Sequence, residues 1–354
     1  MPSLSWFSRR LLPWYREHQR PLPWRASRDP YRVWLSEVIL QQTRVDQGMA
    51  YWERFVAHYP TVAHLARAPE DEVLKHWQGL GYYSRARNLR MAAQQVVNEH
   101  DCAFPDSYEA LRGLKGVGEH TAAAIGSICF DLPEPVVDGN VYRVLARVFG
   151  IATPIDSTAG RTEFRALAAS LLDPKQPGDH NQAVMELGAT VCTPKAPRCG
   201  DCPLSTKCIA LATGRIADLP VKAGKTMVRT RHFNYLHVRH KGGTFLRKRG
   251  EKDIWQGLYE FPLIESVAKL GPNKFEAALL KAYGTGWTVE RRSAPVKHVL
   301  SHQVIMATFW EVELPKGFRP PTAWVAVKEK DLDWYAVPRL MEHYLALADS
   351  TDSR

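Results

Sequence analysis

The stretch LRGLKGVGEHTAAAIGSICFDLPEPVVDGNVYRVL, residues 111–145, limits what this chain can fold into more than any other segment. A short amphipathic turn ends at Leu114, Lys115-Gly116-Val117-Gly118 follows, and a helix rich in small residues begins near Glu119. The two glycines let the backbone turn tightly and approach a ligand closely. The helix after them presents its N-terminal amides and positive dipole end, a ready place for a phosphate. A dinucleotide-binding fingerprint does not fit, because a strand should precede it and Thr121 stands at its third glycine position. A helix before the glycines fits a helix-hairpin-helix, which holds nucleic-acid backbone without reading sequence. Further on, Asp138-Gly139-Asn140 opens another helix over 141–149, with Asp138 placed to cap it. By itself such an aspartate is only a cap.

The chain has 354 residues, 45% of them hydrophobic, enough for two globular domains that each bury a core. A net charge of +10 suits a polyanionic partner, with nucleic acid the leading reading and a merely soluble basic protein the alternative that composition does not exclude. No run of about 18 apolar residues occurs, so no membrane-spanning helix is expected. The N-terminal SWFSRRLLPWYREHQR is basic in the manner of a transit peptide. Its Trp6, Phe7, Leu11, Trp14 and Tyr15 instead fall at helical spacing and predict a packed first helix. Six cysteines, four of them clustered, do not make a secreted disulfide framework.

Candidate chemistry sits at three further places. The segment WLSEVILQQTRVDQ, residues 34–47, predicts a helix whose Leu35, Val38, Ile39 and Val45 mark a buried face. Glu37 among them reads either as an exposed helix carboxylate or, in a dry pocket, as a proton-holding general acid. Residues 78–87, QGLGYYSRAR, put an aromatic tip between glycines with arginines behind it. That is the build of a wedge entering a base stack, or of an ordinary turn whose tyrosines return to the core. Cys192, Cys199, Cys202 and Cys208 are spaced C-x6-C-x2-C-x5-C with Lys195, Arg198 and Lys207 interleaved. Four thiolates in one short loop can wrap a metal centre, and ligand softness permits zinc or an iron–sulfur cluster. Cys102 and Cys129 lie in apolar helical contexts and are expected in the core.

Beyond a linker expected at 216–230, the pattern turns strand-rich. Strands are predicted at 233–239, 244–249, 304–313 and 324–327, with helices at 275–283 and 338–347, an α+β layout. A magnesium-dependent hydrolase would need several clustered glutamates, and the region offers little beyond Glu276.

Taken together, the hairpin followed by Asp138, the segment WLSEVILQQTRV, the cysteine spacing and DIWQGLYEFP at 253–262 resemble one family. This is the endonuclease III and MutY superfamily of base-excision DNA glycosylases, and within it the adenine-specific MutY type. The resemblance implies a multidomain chain. An all-α helix-hairpin-helix glycosylase region spans 1–215, with the hairpin at about 107–130 and an iron–sulfur loop at 192–208. After the linker an α+β Nudix-like domain spans 231–349, and a polar tail 350–354 is expected to fray. The implied reaction removes adenine mispaired with 8-oxoguanine or guanine. Glu37 would be the general acid and Asp138 the carboxylate that stabilises the sugar cation, with Asn140 orienting it. The implied cofactor is a 4Fe-4S cluster on Cys192, Cys199, Cys202 and Cys208.

The implied partner is double-stranded DNA carrying an A:8-oxoguanine or A:G mismatch. Contacts would come from Arg25, Gln42, Thr43, Lys115, Gly116, Val117 and Gly118, with Leu80 and Tyr82 as wedge residues. Ser301 and His302 would read the opposite base, with Leu300 where the family has phenylalanine. Members that also cut the strand carry a lysine early in the hairpin's second helix. His120 stands there in this chain, so hydrolysis without a lyase step is expected. His120 itself reads as a hydrogen-bonding group near the sugar or as a helix-surface residue. A monomeric, cytoplasmic, nucleoid-associated protein is expected, with no targeting signal. The competing readings are a bifunctional glycosylase and lyase, a non-catalytic iron–sulfur protein that binds lesions, and a Nudix-type nucleotide hydrolase.

Overall fold

The structure is a computed structural model that describes residues 5–224 and 228–352. In chain order its first helices are α1 (Trp6–His18), α2 (Pro30–Leu40), α3 (Val45–His58), α4 (Val62–Arg67), α5 (Glu70–Trp77) and α6 (Ser84–Glu99). They are followed by α7 (Tyr108–Gly113), α8 (Glu119–Phe130), α9 (Gly139–Phe149), α10 (Thr158–Leu171), α11 (Pro177–Thr190) and α12 (Ile209–Ala212). Contacts divide the chain into one unit of Met1–Arg67 with Asn88–Gly224 and another of Ala68–Arg87 with Lys225–Arg354. The wedge-like segment therefore groups with the C-terminal half, although it lies inside the predicted helical region.

Caps set the helix starts in the first unit. Ser5, Asp29, Ser107, Asp138 and Ser157 each accept a backbone amide of the helix they precede. The second helix ends at Leu40 instead of running to 47 as predicted. Gln42 takes a left-handed φ of 58°, which stops the helix, and α3 begins three residues later at Val45. The core joins Phe7, Leu11 and Tyr15 of α1 to Val144 and Leu145 of α9, Phe164 of α10 and Leu187 of α11. α9 and α11 approach closely at Gly188, where a Cβ would come within 2.6 Å of the Asn140 Cβ. Cys102 is exposed, correcting its expected place in the core. It sits in a turn at φ 63°, not on a helix face. Cys129 is half-buried, and burial pushes its thiol up to about 12.

The second unit is built on β1 (Arg229–Arg239), β2 (Gly243–Lys248), β3 (Tyr259–Glu260), β4 (Leu263–Ser266), α13 (Pro272–Tyr283), β5 (Thr288–Arg292), β6 (Val296–Val299), β7 (Gln303–Glu313), β8 (Trp324–Lys328) and α14 (Arg339–Asp352). One sheet runs β4-β1-β7-β5 with β6 also on β7, and a smaller one runs β3-β2-β8. β1 and β7 pair in parallel along their whole length. The alternation in β7 has two apolar faces, as a strand covered on both sides requires. Ile305, Ala307 and Phe309 pack with Leu340, Met341 and Tyr344 of α14. Trp310 and Val312 pack with Phe275 and Leu279 of α13.

The strands β3 to β6 escape the sequence reading because they are short or, like Thr288–Arg292, polar and exposed. α14 continues to Asp352, into the segment expected as a frayed tail. Residues 353–354 of that tail, and 225–227 of the expected linker, lie outside the described residues. Among the described residues no helix is long and apolar enough to cross a membrane.

Candidate active site

A cleft of ≈ 350 Å³ opens in the first unit between α2, the turn after it, α8, the start of α9 and α11. Its volume falls within the range of small-ligand sites, roughly 300–1,000 Å³. Glu37 lines it with only 16% of its side chain exposed, so it is not a solvated helix carboxylate. Its Oε2 lies 3.1 Å from His120 Nε2 of α8. Asp138 and Asn140 line the same cleft. Asp138 Oδ1 accepts the Val141 amide at 2.8 Å and Oδ2 accepts Asn140 Nδ2 at 2.8 Å, so its carboxylate is held in one orientation. Gln42 and Thr43 lie at the cleft wall on the turn that ends α2.

Asn140 is itself fixed by Arg143, one turn along α9. Arg143 donates to Asn140 Oδ1 and to the Gly188 carbonyl, each at 2.8 Å, and to the Cys192 carbonyl at 2.7 Å. A second arginine of the same helix, Arg147, donates to the Thr193 carbonyl at 2.8 Å and reaches Cys192 Sγ at 3.5 Å. The helix that carries Asn140 is thus tied directly to the cysteine loop.

Sequence reasoning missed Glu186, a cleft residue on α11 whose side chain is 1% exposed. Arg20 binds it through two nitrogens at 2.7 and 2.9 Å, and Arg25 through one at 2.8 Å. Arg25, expected to contact DNA, is therefore already engaged in the cleft wall. No local spacing announces this cluster, since the partners lie 161 and 166 residues apart.

Burial opposes ionisation of Glu186, but the two guanidiniums prevail and hold its carboxyl at about 2, against an ordinary 4.5. The depressed value means that this stabilisation is complete above the ordinary carboxylate value and is lost as pH falls toward the folded one. Its size is on the order of 3 kcal/mol at 1.36 kcal/mol per pH unit. Denaturant unfolding of the wild type and Glu186→Gln at successive pH values should show the wild-type advantage shrinking between pH 4.5 and 2. A constant difference would mean that the ion pairs do not supply it.

The hairpin between α7 and α8 has the expected shape. Gly116 sits at φ 76°, and a Cβ there would come within 2.7 Å of the Asn88 Cβ. At Gly118 the space is open and no side chain caps α8, so the first amides of that helix face outward. Lys115 is exposed, and its amide donates to Gln95 Oε1 at 2.7 Å. Val117 is buried, which leaves its backbone as the part able to meet a ligand. The four clustered cysteines line one apolar cavity of ≈ 20 Å³ together with Val144, Arg147, Leu187 and Val191. Among the described residues no three His, Cys, Asp or Glu side chains are placed to share a single metal ion.

In the second unit, Tyr82 is 51% exposed at φ 47°, whereas Leu80 is 8% exposed. Of the two expected wedge residues, the turn presents the aromatic ring of Tyr82 and withdraws Leu80. Arg85 lies beneath, its guanidinium 5.0 Å from the Trp77 ring and 5.8 Å from that of Tyr82. Burial lowers its pKa to about 10. The Tyr82 hydroxyl hydrogen-bonds to Ser301 Oγ in the turn between β6 and β7. Both residues, with Leu300, His302, Trp255 and Arg87, line a cavity of ≈ 410 Å³.

Cleft, hairpin and helical scaffold together define a class. Residues 35–168 match the HhH-GPD superfamily base excision DNA repair protein family, and residues 234–347 match the NUDIX domain. A solved thermostable thymine-DNA glycosylase superposes with a TM-score of 0.54 at 27% identity, over 58% of this chain and 95% of that one. The adenine DNA glycosylase of Buchnera aphidicola subsp. Schizaphis graminum is 33% identical, over 74% of this chain and 76% of the relative. That of Arabidopsis thaliana is 40% identical, over 72% of this chain and 46% of the relative. The chain belongs to the adenine DNA glycosylase family. It spans about half the length of several curated relatives it matches, those of Arabidopsis thaliana, Rattus norvegicus and Mus musculus among them.

Proposed function

We propose that this chain excises adenine from duplex DNA by hydrolysing its N-glycosidic bond, acting on adenine opposite 8-oxoguanine or guanine. The observation that carries this reading is the cleft that gathers Glu37, His120, Asp138 and Asn140 in a family of adenine DNA glycosylases. A base must leave the helix stack to be cut from its sugar, and the cleft is the place to receive it. Adenine is a poor leaving anion, so Glu37 protonates a ring nitrogen as the bond breaks. The sugar then carries positive charge, which the fixed carboxylate of Asp138 stabilises. The turn Lys115 to Gly118 and the amides opening α8 hold backbone phosphate. Gln42 and Thr43, at the cleft rim, contact the flipped strand.

Incubating the protein with a duplex containing adenine opposite 8-oxoguanine should release free adenine and give a strand break only after alkali. No release from that duplex overturns the proposal. Scission without alkali, with a borohydride-trapped adduct, overturns hydrolysis without a lyase step, which rests on His120 standing where an amine nucleophile would be.

The four thiols line one apolar cavity, with Arg147 reaching Cys192 Sγ, a donor set that suits an iron–sulfur cluster. Cys192, Cys199, Cys202 and Cys208 would hold a 4Fe-4S cluster, which when bound cross-links the loop. Cys199→Ser should lower iron and sulfide content and weaken duplex binding together. A colourless, zinc-only, fully active protein would contradict the assignment.

Ser301 and His302 are proposed to read the base opposite adenine, with Tyr82 entering the stack beside it. Oxidation turns a guanine acceptor nitrogen into a donor, and a serine hydroxyl can accept from it. Losing such a contact costs about 1–3 kcal/mol of discrimination. Ser301→Ala with His302→Ala should therefore lower the preference for adenine opposite 8-oxoguanine over adenine opposite guanine by about 5- to 150-fold at fixed salt. Adenine release itself should persist. An unchanged preference removes this turn from recognition.

A further inference from the structure

We propose that His120 is a positioning residue for the general acid: its neutral imidazole donates Nε2–H to Glu37 Oε2 and so leaves Oε1 as the oxygen that carries the proton to adenine. The inference rests on the reaction proposed above and assigns a role to a residue that reaction does not yet use. Two observations carry it. His120 Nε2 lies 3.1 Å from Glu37 Oε2. His120 Nδ1 is buried and, among the described residues, has no hydrogen-bond partner.

The pair has one proton to place, on Glu37 Oε1 or on His120 Nδ1. A proton on Nδ1 would make a buried N–H without an acceptor, which leaves its desolvation uncompensated, all the more so for a charged group. A bare Nδ1 lone pair is the cheaper state, and it puts the proton on the carboxyl. Burial lowers the imidazole's pKa, but the hydrogen bond to Glu37 and the charges of Glu37 and Asp138 outweigh it and hold it above the ordinary histidine value. That lift depends on the carboxylates being ionised, and it weakens once Glu37 takes the proton. The other charged groups lining the cleft are Arg20, Arg25 and Glu186, which are paired with one another.

The arrangement favours the transition state over the ground state. As the proton passes from Oε1 to the adenine ring nitrogen, the electron pair of the breaking O–H bond stays on the carboxylate. The Nε2–H bond to Oε2 then becomes charge-assisted, with the donor already in place. An imidazole already bonded to the acid serves protonation of the leaving base.

Two measurements test it. Nitrogen-15 NMR of histidine-labelled protein at neutral pH should show His120 protonated at Nε2 and bare at Nδ1. Protonation at both nitrogens overturns the proposal, because Glu37 would then be the ion and not the acid. In single-turnover assays on the 8-oxoguanine duplex, His120→Leu should slow adenine release by about 10- to 100-fold, on the scale of losing one preorganised donor. His120→Gln, which keeps an N–H donor, should recover most of that loss with duplex affinity unchanged. Leu and Gln variants that are equally slow, or a Leu variant at the wild-type rate, overturn it. If the wild type releases no adenine at all, the proposed reaction falls first and this role with it. If the wild type releases adenine and Glu37→Gln does not, a failure at His120 concerns this inference alone.

Discussion

Glu37→Gln is expected to bind a mismatched duplex as the wild type does while releasing adenine about 10²–10⁴-fold more slowly, the usual contribution of a positioned acid. The substitution is nearly isosteric. Glutamine can still meet His120 Nε2, 3.1 Å from the native carboxylate oxygen, and the side chain is already largely withdrawn from solvent. What it cannot do is give up a proton. The checks are a gel-shift affinity and a single-turnover release rate on one duplex at one salt concentration. Release at the wild-type rate would remove Glu37 from the chemistry, and loss of affinity in step with rate would make it a binding group.

Asp138→Asn should have an effect of similar size for a different reason. In the proposed reaction the carboxylate would supply negative charge where positive charge develops, and preorganised electrostatic groups of this kind contribute about 10²–10³-fold. Asparagine keeps the cap on α9, because its oxygen can still accept the Val141 amide. Its amide nitrogen would, however, face the Asn140 Nδ2 donor that now meets Asp138 Oδ2. Because the cap is kept, stability should change little beyond that one lost contact, whereas Asp138→Ala should cost about 0.5–2 kcal/mol as well, the usual effect of a lost cap. Melting temperatures and release rates of both variants separate the two roles. An Asn variant that is both active and stable would leave Asp138 as a cap alone.

Much of this site is legible in local sequence because its signals span only a few residues. Gly116 announces itself through a turn that demands positive φ, and Asp138 through a cap placed just before an amphipathic helix. The cysteine spacing is likewise a property of one short loop, and the four thiols do line one cavity. Alternation in 304–313 predicts a strand, which the structure extends by one residue to Gln303–Glu313. Period and caps are set by neighbours along the chain, so they survive without knowledge of the fold.

Other features were decided only when distant segments packed. Glu37 and His120 are 83 residues apart, and nothing in either helix says that one will face the other. Sequence left Glu37 poised between solvent and pocket, and the packing of α2 beside α8 and α11 closed one side of that choice. Glu186 looked like any helix glutamate until folding brought Arg20 and Arg25 onto it, since a buried carboxylate is tolerated only where cations meet it. Leu80 and Tyr82 stand two positions apart in one turn. The left-handed backbone at Tyr82 and the guanidinium of Arg85 beneath it set which of them is buried and which is presented. The chain alone determines where helices and turns begin, because those preferences are local. Which face of each element meets a partner, and hence which carboxylate is withdrawn into the cleft, depends on contacts across more than 80 residues and exists only in the tertiary structure.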